Sequence, residues 1–342
     1  MDKKILVLYH YFEKDHSYIE NFFHFLAFGY AAALEYVIVI AGPYTISLPR
    51  LDNVRYLFTA NHNNDFGGYT EALRTAVDVS AYDYFLFVNS SVRGPYTAAY
   101  SERCWAHHFI DKMAADDEVG LVGSTINILA PGAIEARMYA QKYGGAGPFA
   151  HVQTMCYALS QKALLDVCAC GFFSPAPALG KNEVIRDYEI RLSQLLLARG
   201  WNIRSLCSEY DGIDFRLPCS DINPTSDNGD ANSPYGYFGR TAHPLEVMFV
   251  KVNRGLFLTA YLHRLSYSAH KKRPPHPEFL RHDAFVAYLQ MLETVACSPA
   301  KTDFTFRGKT ILRLIPKFLR PAARQLFPSL TAAAAARTEH RP

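Results

Sequence analysis

The sequence lacks a cysteine framework. Its seven cysteines are odd in number and show no paired spacing. This excludes the small disulfide-stapled class, and we read them as reduced thiols. Cys168 and Cys170 form a C-x-C inside an apolar run, but no histidine-rich partner stands near enough to complete a zinc set. Long apolar runs are also missing. A membrane span needs about 20 predominantly apolar residues. The best stretch, Phe22 to Ile40, is broken by His24, Gly29 and Glu35, and divides into a helix and a strand. Met1-Asp2-Lys3-Lys4 runs straight into Ile5–Leu8, which is too short for a signal core. A cytoplasmic location is expected. There is no internal repeat, and nucleic acid is not an expected partner.

What is present supports a sizeable core. Of 342 residues 49% are hydrophobic, with 22 tyrosines and 23 phenylalanines. Net charge is only +3, but it is unevenly placed: from Lys251 onward there are 16 Lys/Arg against five Asp/Glu. That end therefore carries +11 and the preceding 250 residues −8. Such asymmetry points the C-terminal part toward something anionic. Within it, Lys301 to Phe327 carries seven cations and one acid, interleaved with Ile311, Leu312, Ile315, Phe318 and Leu319. An anionic membrane surface is the expected partner of that segment, and packing on the acidic remainder of the chain is the alternative.

The chain is organised around Arg55 to Pro95. Two apolar runs, Val54–Phe58 and Tyr84–Val88, read as buried parallel strands, and Thr70–Val79 between them carries apolar residues at helical spacing. Polar clusters follow both strands. The first holds Asn61, Asn63, Asn64 and Asp65, with Gly67 and Gly68 expected to let backbone approach a ligand. The second holds Asn89, Ser90, Ser91 and Arg93. Carboxyl ends of strands are where open α/β sheets bind ligands, and a helix N-terminus beside them suits an anion. Asn, Asp and Gly are also ordinary turn and cap residues, so a purely structural role stays open. His10, Tyr11 and Phe12 end the first strand, Lys4–Leu8, on the same edge, placed either to stack on a base or to pack.

Further along, NEVIRDYEIRLSQLLLAR from Asn182 to Arg199 reads as a helix with Asp187 at an N-cap and Gly200 closing it. His151 to Leu159 reads as one strand, with His151 and Gln153 on one face. Asp221 to Gly239 is a long aperiodic loop, a candidate lid. His243 is a candidate metal ligand or a structural histidine. Lys251 and Arg254 are candidate phosphate contacts.

The order of strand, N-x-x-N-D-F-G-G-Y helix, Tyr82-Asp83-Tyr84 strand and Asn89-Ser90-Ser91 resembles the donor half of GT-A glycosyltransferases. It is similar to the family-2-like and rhamnan-synthesis-F-like enzymes of surface polysaccharide and lipopolysaccharide pathways. Arg186-Asp187-Tyr188-Glu189-Ile190, followed by Gly200-Trp201-Asn202-Ile203, is similar to the acidic motif of the same group. The resemblance implies a GT-A-like, Rossmann-related α/β fold with a mixed central sheet flanked by helices. It implies transfer of a sugar from a nucleotide-sugar to a hydroxyl of a glycan or lipid-linked acceptor. A non-catalytic sugar- or nucleotide-binding protein and a nucleotidyltransferase are the rivals. Residues 1–255 would form the catalytic domain, 256–330 a basic helical extension docked peripherally on a membrane, and 331–342 a tail. Asp187, with Glu189 near it, would be the catalytic base. His10, Tyr11, Asn61, Asn64, Asp65, Gly67, Asn89, Ser91, Arg93 and Lys251 would hold the nucleotide-sugar, and His243 a metal. The family's D-x-D motif is here Asn89-Ser90-Ser91, without a carboxylate, so any manganese or magnesium is expected to bind weakly.

Overall fold

A computed structural model describes residues 3–220, 222–223 and 230–298. All but Cys297 and Ser298 belong to one unit, Met1–Ala296. The basic segment from Lys301 to Phe327 and the tail 331–342 lie outside the described residues. No helix among the described residues is long and apolar enough to cross a membrane.

In chain order the elements are β1 (Ile5–Tyr11), α1 (His16–Gly29), β2 (Glu35–Ala41), β3 (Val54–Thr59), α2 (Asn64–Thr75), β4 (Tyr84–Asn89), β5 (Val92–Arg93) and α3 (Trp105–Ala114). There follow β6 (Val119–Gly123), β7 (Ile126–Leu129), α4 (Ile134–Tyr143), β8 (Phe149–Val152), β9 (Cys156–Ser160) and α5 (Gln161–Ala169). Then come α6 (Lys181–Val184), a π-helical turn (Ile185–Ile190), α7 (Arg191–Ala198), β10 (Asn202–Ser205), α8 (Pro244–Val247), β11 (Val250–Lys251), α9 (Thr259–Lys272) and α10 (Asp283–Cys297).

Seven strands form the central sheet in the order β10-β6-β9-β4-β1-β2-β3. β4, β1, β2 and β3 run parallel, and β9 runs antiparallel to both its neighbours. This is the mixed sheet flanked by helices that the sequence led us to expect. Strands buried on both faces read as continuous apolar runs, and β1, Ile-Leu-Val-Leu-Tyr-His-Tyr, is buried along its whole length. One face packs under α2, α5 and α7 through Leu6, Leu8, Phe66 and Leu196; the other packs under α1, α3 and α10 through Val7, Tyr9, Phe22, Phe109 and Leu292.

Two strand expectations are corrected. β3 is not a buried strand: it is the sheet edge, with β1 and β2 between it and β4, and Phe58 on it is 59% exposed. The expected strand from His151 to Leu159 is two strands. β8 pairs with β7 in a separate ribbon, and the chain then crosses to the main sheet as β9.

Behind the site the sheet is fastened by a buried ion pair. Arg93 is 1% exposed and donates to Glu20 Oε2 at 2.6 Å and to Asn21 Oδ1 at 2.9 Å. His263 on α9 reaches the same Glu20 oxygen at 3.1 Å. Burial alone would raise the Glu20 pKa, but His263 and Arg93 hold it down at about 2. Arg93, expected at the donor, is therefore committed to this internal pair. Removing one partner of a buried pair costs about 3–5 kcal/mol, whereas replacing both by apolar residues is often neutral. Glu20→Gln is expected to lower the urea midpoint by a corresponding amount, and Glu20→Leu with Arg93→Met to recover most of it. Because the Glu20 pKa is depressed, wild type should lose this contribution as pH falls from about 4.5 toward 2, and Glu20→Gln should not.

Candidate functional site

The carboxyl ends of β4 and β3 bring the two polar clusters together. Asp65, in the first turn of α2, accepts a hydrogen bond from Asn89 Nδ2 at 3.0 Å. Asn89 is in turn fixed by Ser91, whose hydroxyl donates to Asn89 Oδ1 at 2.6 Å and whose backbone N–H reaches it at 3.1 Å. β5 follows at once and pairs with β11, placing Lys251 opposite Val92. Lys251 has no hydrogen-bond or ion-pair partner among the described residues, and its charge reaches Asp65.

Asp65 is half-buried, and its carboxyl is pushed up to about 6. Burial is the main cause and the charge of Glu189 adds to it, while the Asn89 hydrogen bond and Lys251 oppose it. The hydroxyls of Tyr69 and Tyr157 are buried beside it without partners. Burial, with Asp65 next to them, raises both phenols well above their ordinary range. Tyr157 on β9, stacked on Phe87 at 4.7 Å, was not found from sequence. It sits on a strand whose antiparallel insertion has no local signal.

The start of α2 is open. Its cap residue Asn63 is left-handed at φ 54°, a conformation asparagine tolerates. The Asn63 side chain leaves the helix, donating to the Pro177 carbonyl at 3.0 Å and accepting from Leu179 N–H at 2.8 Å. No side chain caps the helix, so its first N–H groups remain available to an anion. Asn64 beside it is exposed and also has φ 54°. Asn61 Oδ1 is buried without a partner.

Other expected residues turn inward. A Cβ on Gly67 would lie 1.9 Å from the His62 carbonyl, and one on Gly68 2.6 Å from the His10 ring. The glycine pair thus lets α2 settle onto its own loop and onto β1; it serves packing rather than ligand approach. His10 is 3% exposed, and burial lowers its pKa to about 3, leaving the imidazole neutral. Tyr11 points to the opposite face, packs on Phe22 at 4.7 Å and donates to Glu13 at 2.8 Å. Neither ring is open to stack on a base. In a strand buried on both faces alternate side chains enter alternate cores, which accounts for both.

Asp187 and Glu189 part company. Asp187 is not an N-cap: α6 begins at Lys181 after Gly180, and Asp187 lies within the π-helical turn. Its carboxylate accepts from Arg186 at 2.7 Å through both oxygens, from Lys142 at 2.8 Å and from Tyr143 at 2.9 Å. Partial burial would raise its pKa, but these bonds hold it far below the usual carboxylate range. Glu189 has no such partners, and its charge acts on Asp65, Tyr157 and His151. Asp230 stands on the same side, accepting from Gln153 at 3.0 Å and paired with Arg254. The expected lid around it is described only in part. Asn223, Asn232 and Tyr237 within it are buried.

His243 caps α8: Nδ1 accepts from Leu245 N–H at 3.2 Å and Nε2 meets the Tyr261 hydroxyl at 2.7 Å. Both ring nitrogens are occupied. Among the described residues no three His, Cys, Asp or Glu side chains gather as a metal site. Asp65 is the one carboxylate hydrogen-bonded to the Asn89 cluster. A divalent ion wants several oxygen ligands, and this donor set does not fit one held by the protein alone.

No family model matches the chain, and no curated protein matches it. Solved structures do. Glucosyl-3-phosphoglycerate synthase from Mycobacterium tuberculosis, in complex with Mn2+, UDP and glucosyl-3-phosphoglycerate, is similar at 12% identity and TM-score 0.34, over 59% of this chain and 70% of that one. A mannosyltransferase from Pyrobaculum calidifontis, with GDP-Man and Mn2+, is similar at 13% identity and TM-score 0.38, over 100% and 89%. A galactosyltransferase with donor and acceptor sugar analogs is similar at 10% identity and TM-score 0.32, over 59% and 73%.

Asp65 gives a signed test. Its native pKa of about 6 lies above the unfolded value of about 3.9, so ionisation opposes folding above pH 6 and the penalty vanishes below about pH 4. Asp65→Asn keeps an acceptor for Asn89. It is expected to raise stability at pH 7–8 by roughly 1–3 kcal/mol, with the gain disappearing by pH 4. Thermal melts across that range measure it.

Proposed function

We propose that this chain is a glycosyltransferase that moves a sugar from a nucleotide-sugar to a hydroxyl of a glycan or glycolipid. The observation that carries this reading is the convergence of Asp65, Asn89, Ser91 and Lys251 on one strand edge, with an unpaired carboxylate, Glu189, in electrostatic reach. Surface polysaccharide synthesis, a lipid-linked acceptor and peripheral membrane docking belong to the same reading and rest on the sequence resemblance and the basic C-terminal segment.

The chemistry needs two charges handled at once. As the acceptor oxygen attacks the anomeric carbon, its proton passes to Glu189. The bond from that carbon to the diphosphate breaks, and the electron pair leaves with the diphosphate. Lys251 and the open N–H groups of α2 are placed to meet that developing negative charge. Asp65 and Asn89 suit hydroxyls of the donor. Asp187 is a poor base because protonating it means displacing three donors; its role is to hold Arg186, Lys142 and Tyr143 and so fix the turn that carries Glu189. No step is assigned to a metal ion.

A positioned base contributes about 10²–10⁴-fold. With a panel of nucleotide-sugars, Glu189→Gln should lower turnover by that factor and leave the thermal shift with nucleoside diphosphate intact. Asp187→Asn should cost less turnover and more stability. Lys251→Ala should weaken the nucleotide shift, and chelator should preserve most of it. Absence of any nucleotide shift in wild type at millimolar concentration would sink the reading.

A further inference from the structure

The β7–β8 ribbon carries three rungs on one face, and they differ in chemistry. At one end Thr125 and Gln153 are locked together: Thr125 Oγ1 donates to Gln153 Oε1 at 2.6 Å, Asn232 donates to the same oxygen, and Gln153 donates to Asp230 at 3.0 Å. At the other end Leu129 faces Phe149 within an apolar cluster that includes Tyr139 and Ile190. The middle rung is Asn127 opposite His151. Both are more than nine-tenths buried, at 7% and 4% exposure. Yet Asn127 Oδ1 has no hydrogen-bond partner. His151 Nδ1 lies 3.3 Å from the Phe149 carbonyl, which can only accept, so Nδ1 carries the proton and Nε2 is a bare acceptor. Nε2 makes no hydrogen bond among the described residues.

Asn127 Oδ1, an orphaned buried acceptor, costs about 1–3 kcal/mol, and with the bare Nε2 of His151 across the rung it asks for a ligand that donates. Nearby charge agrees: Glu189, Asp230 and Glu135 all act on His151. Burial keeps the ring neutral by lowering its pKa, so it does not supply a donor of its own. Asn127 Oδ1 and His151 Nε2 both accept hydrogen bonds, and the charges that act on this rung are negative. Such a wall fits hydroxyls and repels phosphate or carboxylate.

We infer that the Asn127–His151 rung is the acceptor subsite, and that it selects an uncharged saccharide whose hydroxyls donate to Asn127 Oδ1 and His151 Nε2 beside Glu189. This rests on the transferase reading and narrows it to a neutral acceptor.

The test uses the full chain with saturating nucleoside diphosphate, the probes being methyl glycosides of glucose, galactose, mannose and rhamnose and the 6-phosphates of the hexoses. NMR of ¹⁵N-labelled imidazoles reads His151 directly in wild type. At least one neutral glycoside is expected to shift the His151 Nε2 resonance and to give saturation transfer, with the phosphates at least tenfold weaker. Asn127→Leu should reduce glycoside binding at least tenfold while the nucleotide thermal shift stays. If that variant does not fold, the wild-type resonance still decides. No response of His151 to any neutral glycoside, or equal binding of the phosphates, overturns the inference. A missing nucleotide shift in wild type would instead overturn the transferase reading itself.

Discussion

A charge buried without water must be answered from within, and here one guanidinium sets that demand. Arg93 follows the Asn89–Ser91 cluster by two residues and is closed off from solvent. Its partners come from far apart in the chain: Glu20 and Asn21 from α1, with His263 from α9 completing the Glu20 site. β5, which carries Arg93, is also the strand that pairs with β11. The same contact that anchors the back of the sheet therefore sets the position of Lys251 at the front. An ion pair this buried adds little net stability over an apolar replacement; here it ties the two-residue strand β5 to α1 and, through Glu20, to α9.

Much of the donor edge was legible because it is local. The unit from β3 through α2 to β4 spans about forty residues, and its turn residues and apolar periods are written in order. Asp65, Asn89 and Ser91 met as their spacing suggested. Residues that failed as site predictions failed through tertiary packing. His10 and Tyr11 are adjacent on a fully buried strand, so each was drawn into a different core. Gly67 and Gly68 read as a ligand loop, but the absent Cβ atoms accommodate a carbonyl and an imidazole of the protein itself. His151 was legible as facing one way with Gln153, and Asp230 lies in the loop read as a candidate lid, but Tyr157 and Asn127 were missed for a different reason. They are brought in by an antiparallel strand and a side ribbon whose pairing partners lie 20 or more residues away in the sequence.

The two sides of the site differ in polarity. The donor side combines one elevated carboxylate, two orphaned phenols, an uncapped helix start and a free ammonium. The opposite side, along the β7–β8 ribbon, faces negative charge, and the cations there are consumed: Arg254 by Asp230, Arg186 and Lys142 by Asp187, and Arg191 by the Tyr143 hydroxyl. On the proposed reading, this arrangement would sort anionic and neutral ligands to opposite walls by electrostatics.

The π-helical turn at Ile185–Ile190 acts as a phase shifter. Each residue of an α-helix advances the azimuth by about 100°, and a π-turn arises where one extra residue has been absorbed without breaking the helix. Deleting any one residue of the turn would let it relax to α geometry and would rotate everything on one side of it by that angle. Ile190 is buried among Phe149 and Tyr139 and fixes the downstream side, so the rotation falls upstream, on the carboxylates. Asp187 and Glu189 would change azimuth with respect to the sheet while their order in the chain stayed the same. Which acid faces the cleft is thus encoded in the length of this helix as much as in the identity of its residues, and a chain one residue shorter here could keep both acids yet point neither at the site.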